Sequence, residues 1–236
     1  MDFINRIPKS VRPFIGRIAK IYVPTKAKHM AELHYWQTRW EQGGGVFENS
    51  FYERLMLGMA GEADASFLQD KIVADFGCGP RGSLCWAKNA RLRIGIDVLS
   101  EKYTSFNIAS HDMCYVCSTE KQIPLPSDYV DVLFTLNALD HVSDFEKMCC
   151  EIFRIIAKGG ELIASFNLGE PPTFTEPQLL SEERIKQSLL NRFQLTSYRL
   201  APRGPERDFY HYFFEKSNMP CTKPQLLWVR GKKSAN

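Results

Sequence analysis

The chain has 236 residues, 44% hydrophobic and 24% charged, with a formal net charge of +3. This is ordinary globular composition, too balanced in charge to imply a nucleic-acid partner, and its length suits one α/β domain with some decoration. No apolar run approaches the ~18 residues of a membrane span, and the N-terminus lacks the apolar core of a secretory signal. Seven cysteines, an odd and scattered set, read as reduced thiols of a cytoplasmic protein. Cys114 and Cys117 form one CxxC with no second pair at ligand spacing, so no metal is expected.

Residues 1–28 stand apart. They hold Arg6, Lys9, Arg12, Arg17, Lys20, Lys26 and Lys28 against the single acid Asp2, with Ile7, Val11, Phe14, Ile15, Ile18 and Tyr22 at helical spacing. Ser10 and Pro24 bound a short basic amphipathic helix. It suits either peripheral contact, through residues 1–24, with an anionic inner-membrane surface or an arm folded over the core. Residues 29–236 form the domain, in which 29–70 are a helical cap. Within it, 29–41 predict a helix carrying Tyr35, Trp36 and Trp40, Gly43, Gly44 and Gly45 a break, and 49–61 a further helix.

At Lys71 the period changes. Residues 72–76 predict a buried strand running into the glycines of GCGPRG, and 83–90 a helix. Strands follow at 91–97, 113–117 and 130–135. An amphipathic helix over 144–157 is stopped by Gly159 and Gly160. Strand 161–166, helix 181–191 and strands 193–200 and 226–230 complete the chain, with 201–224 an insertion on the substrate side. The alternation predicts a parallel sheet covered on both faces, with ligands beyond the carboxyl ends of its strands. The loop 169–177 is a rim element of that end.

Gly77, Gly79 and Gly82 spell G-x-G-x-x-G, and Asp97 closes the next strand about 20 residues on, as in a dinucleotide fingerprint. An NAD-binding dehydrogenase is therefore one alternative. Asp75, just before the first glycine, would face a pyrophosphate with like charge, and Pro80 removes a backbone donor that a phosphate would use. Both features suit a ligand with a cationic sulfur and an ammonium. Asp97 can accept two ribose hydroxyls of either nucleotide.

DFGCGPRGS, IGID, IPLPSDYVDVLFTLNALDHVSD and EIFRIIAKGGELIASF occur in the order of the class I S-adenosylmethionine (SAM)-dependent methyltransferases, which residues 71–166 resemble. The resemblance implies a Rossmann-like sheet of seven strands, order 3-2-1-4-5-7-6 with the last antiparallel, and SAM as cofactor. It implies that Asp75, Phe76, Gly77, Cys78 and Gly79 line the methionine part, Asp97 the ribose and Val98 the adenine, with Leu136 and Asn137 beneath. Tyr35, Trp36 and Arg39 would close over SAM and grip its carboxylate. Where the family often has an adenine-binding Asp, this chain has Ser118 or Thr119, with Glu120 beside them.

An alcohol acceptor needs a base. His141, after Asp140, is the first candidate, set against a structural role; Asp140 and Asp144 would orient it or act themselves. His211, in the aromatic run 209–214, is a second candidate, set against a packed lid. No module or motif for nucleic acid is present, so the expected acceptor is a small molecule or a sugar hydroxyl, such as a lipid-linked glycan precursor. N-methylation and a non-catalytic, methyltransferase-like binding protein remain as alternatives.

Overall fold

Ile72–Phe76 (β1) is buried at every position, as a strand covered on both faces requires. In the computed structural model, which describes residues 25–205, 209–214 and 225–235, it lies at the centre of a seven-stranded sheet. The other strands are β2 (Leu92–Asp97), β3 (Cys114–Cys117), β4 (Val130–Leu136), β5 (Ile156–Asn167), β6 (Phe193–Ala201) and β7 (Leu226–Lys233). Their order is β3-β2-β1-β4-β5-β7-β6, with β7 antiparallel to both its neighbours. This is the order that the resemblance implied.

Side chains of β1 alternate between two cores. Ile72, Ala74 and Phe76 join the layer of α3 (Phe145–Ile155), whereas Val73 joins that of α2 (Phe51–Ala60). Helix α3 begins where Asp144 accepts from Lys147 N at 3.0 Å. The remaining helices are α1 (Thr25–Gln42), α4 (Glu182–Ser188) and the single turn α5 (His211–Phe214). None of these helices is long and apolar enough to cross a membrane.

Two expectations change. Residues 83–90 are not helical: they run through tight turns, with Cys85 N bonded to Gly82 O and Ala87 N to Leu84 O. Burial of Leu84 and Ala87 and the bond from Ser83 to Asp75 fix this short segment directly against the core. Helix α3 ends before Gly159, because Lys233 Nζ donates to the carbonyls of Phe153 and Ile156 at 2.8 and 2.7 Å and satisfies its last turn. Ile156 then pairs at once with Val130, and the strand passes through an irregularity to pair Glu161 with Val132. The expected basic helix at the N-terminus and the segment 215–224 of the insertion lie outside the described residues.

The register positions the site. Phe76 pairs with Ile96 on one side and Thr135 on the other, so β1, β2 and β4 end level. The glycine turn, Asp97 and Asn137 therefore emerge together at the carboxyl edge of the sheet.

Candidate active site

A cavity of about 490 Å³ opens at that edge, within the range of small-molecule sites. Its floor is the turn after β1. Gly77 has φ +74°, and a Cβ there would stand 2.2 Å from the Cβ of Ala138. Gly79 has φ +59°, and a Cβ would stand 2.8 Å from the ring of Trp36. Only glycine fits either place, and the bare backbone is what leaves room for a ligand.

Asp97 closes one wall. Its carboxylate accepts from Gly79 N at 3.0 Å, Leu99 N at 2.8 Å and the Tyr103 hydroxyl at 3.0 Å. A carboxylate has about four acceptor positions, so capacity for a ribose hydroxyl remains. Burial raises the pKa of Asp97 against the pull of these donors. Asp75 lies behind the turn, 3% exposed, with one oxygen bonded by Ser83 Oγ and the other unpartnered. Burial lifts its pKa to about 7, Ser83 opposes the rise and repulsion from Asp97 adds to it. Two carboxyls held short of positive charge suit a ligand carrying a sulfonium and an ammonium.

Phe76, Gly77, Cys78, Gly79, Val98, Ser118, Thr119, Leu136 and Asn137 all line the cavity. Among the candidates for the adenine end, Thr119 Oγ1 is committed to its own turn, accepting from Lys121 N and Gln122 N. Glu120 is held by His29 at 2.6 Å and Ser143 N at 3.1 Å. Ser118 is left with its hydroxyl uncommitted. Asn137 takes φ +46° just past β4. Its Nδ2 donates to the Tyr210 hydroxyl at 2.6 Å, and Ser165 Oγ donates to its Oδ1 at 3.2 Å.

Helix α1 forms the opposite wall with Lys28, Ala31, Glu32, Tyr35 and Trp36. Glu32 accepts from His141 Nδ1 at 3.0 Å, and Glu176 of the rim loop stands 3.6 Å from Nε2. The His141 side chain is 39% exposed. Burial works against its charge, but the hydrogen bond to Glu32 and the charges of Asp140, Glu32 and Glu176 outweigh burial and raise its pKa.

Four expected residues lie off the lining. Asp75 sits beneath it. Arg39 is exposed, over the Tyr35 ring at 5.4 Å, one turn along α1 from Trp36, the last residue of that helix on the lining. Asp140 is buried, with one oxygen unpartnered and a pKa pushed by burial to about 6; it reaches the site only through its charge on His141. His211 belongs to α5, whose Phe213 stacks on Trp228 at 3.9 Å, so the described part of this insertion is a packed lid. Glu32, Lys28, Tyr52, Thr175 and Glu176 are among the lining residues that sequence reasoning missed. One signal was present: Lys28, Glu32 and Tyr35 recur at helical spacing and share a face of α1.

Residues 74–164 match the family described as Methyltransferase domain. The match starts inside β1, ends inside β5, and contains the glycine turn, Asp97 and His141. Residues 74–164 are a class I methyltransferase domain. Its cofactor is SAM, and the dinucleotide alternative falls away. A ubiquinone/menaquinone biosynthesis C-methyltransferase of Vibrio campbellii is 27% identical over 167 residues. The alignment covers 69% of this chain and 55% of that protein, so the chain spans about half of its relative's length. A SAM-dependent methyltransferase from Mesorhizobium loti superposes with a TM-score of 0.54 at 16% identity, over 70% of this chain and 92% of that one. A geranyl diphosphate C-methyltransferase from Streptomyces coelicolor, solved with S-adenosylhomocysteine, superposes at 0.56 and 15% identity, over 78% and 77%. At these identities the two structures speak for the fold.

Proposed function

We propose that this protein methylates a hydroxyl of a small organic acceptor, a sugar or a comparable alcohol, with His141 as the base. When bound, SAM supplies the activated methyl group. The residues of the chain then have two tasks, to hold the acceptor in line and to take its proton. The observation that carries the reading is the row Glu32–His141–Glu176 across the cavity wall. In the neutral ring with Nδ1 protonated, Nδ1 donates to Glu32 and Nε2 keeps a lone pair. An acceptor hydroxyl that displaces Glu176 from Nε2 delivers its proton there. Glu32 then faces the imidazolium that forms.

A carbon acceptor is the second reading, supported by the names of the Vibrio and Streptomyces proteins, both C-methyltransferases. A methylated carbon must also shed a proton, and the same histidine serves. The test is transfer of label from methyl-tritiated SAM to a panel of sugars, phenols, quinols and amines. The expected result is a labelled hydroxyl product, with His141→Ala slowing transfer by about 100-fold or more. Transfer to amines alone, unaffected by that substitution, overturns the reading. NMR of the product separates methyl-oxygen from methyl-carbon.

A further inference from the structure

SAM carries a carboxylate, and a buried anion needs a cation or donors to meet it. The cavity offers little. Lys28 Nζ is bonded to the carbonyl of His141 and lies 3.7 Å from Glu120. His141 stands between two carboxylates, and Arg39 faces solvent. Arg81, in the glycine turn itself, is different. Its guanidinium stands 5.7 Å from the rings of Trp36 and Phe47 and 5.8 Å from that of Phe51. No carboxylate among the described residues lies within ion-pair distance, and its Nε is buried with no hydrogen-bond partner.

We propose that Arg81 anchors the methionine carboxylate of SAM. The proposal rests on the SAM reading of the cavity. Arg81 does not face the cavity itself, but Trp36 does, and Trp36 packs over Gly79. Only Pro80 separates Arg81 from Gly79, so their Cα atoms are at most roughly 7.6 Å apart. The proposal requires the outer torsions of Arg81 to rotate and bring the planar fork past the edge of Trp36 to the turn. There it can take a carboxylate through two parallel hydrogen bonds. The three rings hold the cation beforehand without satisfying its donors, which remain available.

The experiment is calorimetric titration of the full chain with S-adenosylhomocysteine and with its analogue in which hydrogen replaces the carboxylate. The variants are Arg81→Met, Arg81→Lys and Arg39→Met. Arg81→Met is expected to weaken S-adenosylhomocysteine by about 10- to 100-fold, the scale of a charged hydrogen-bonded pair, and the analogue by no more than about twofold. Arg81→Lys, which keeps stem and charge, is expected to recover part of the loss and gives the same comparison if the methionine variant does not fold. Equal weakening of both ligands overturns the proposal, because it marks a packing role. Loss of carboxylate discrimination in Arg39→Met, with none in the Arg81 variants, overturns it in favour of Arg39. A wild-type chain that binds neither ligand sinks the SAM reading as well, an outcome distinct from the other two.

Discussion

Asp75→Asn should stabilise the protein, and increasingly so as pH rises. In the folded chain burial lifts the Asp75 pKa from 3.8 to about 7. The folded state therefore keeps a proton that the unfolded state releases near pH 4. Between those values the native form binds more protons, so stability falls as pH rises and reaches its lower level above about 7. A displacement of roughly three pH units corresponds to at most about 4 kcal/mol. Asparagine has no proton to lose, and its amide oxygen still accepts from Ser83 Oγ. Asp97 also loses a repelling neighbour, which acts in the same direction. The assay is urea denaturation of both proteins at intervals from pH 4 to 8.5. The stability difference should climb from near zero at pH 4 and level off above 7, with the variant the more stable. Parallel curves, or a variant less stable at pH 8, refute the claim that Asp75 is a buried, charge-starved carboxyl.

Other outcomes follow from the same geometry. His141 should set the acid limb of the kcat/KM profile at a pH above its ordinary 6.5, since only the neutral ring accepts a proton; Glu32→Gln should move that limb down. A limb unchanged by Glu32→Gln would separate the pair. Gly77→Ala should abolish binding of S-adenosylhomocysteine in calorimetry, because its Cβ meets that of Ala138 at 2.2 Å; adding Ala138→Gly relieves the contact but leaves the φ +74° strain, of order 1–3 kcal/mol. Tyr210→Phe leaves Asn137 Nδ2 without its 2.6 Å acceptor and should cost about 1–3 kcal/mol in denaturant titration. An unchanged midpoint would mean that water replaces the hydroxyl.

The sheet and its glycine turn were readable because their signals are local. β1 is an apolar run broken only by Asp75, and the turn after it needs three residues at positive φ, where Gly77, Gly79 and Gly82 stand. Asp97 announces itself as a carboxylate at a strand end. What failed to show was set by tertiary contact. Nothing within 83–90 says that Leu84 and Ala87 will be drawn into the core before a helix can form. The pairing of Glu32 with His141 spans 109 positions, and that of Asn137 with Tyr210 spans 73. Arg39 has the right charge on the right helix but stands one turn past Trp36, where α1 has left the cavity.

Helix α1 precedes every strand in the chain, yet it completes the ligand cavity only by meeting residues 120 and 141. These are contacts of high sequence separation, which pay their loop-closure entropy before they return anything. The sheet can take shape without them. A ligand that bridges α1 and the glycine turn adds its binding free energy to this late and weakly paid closure. Its presence should therefore slow amide exchange most strongly in 28–36, far from the strands that define the fold.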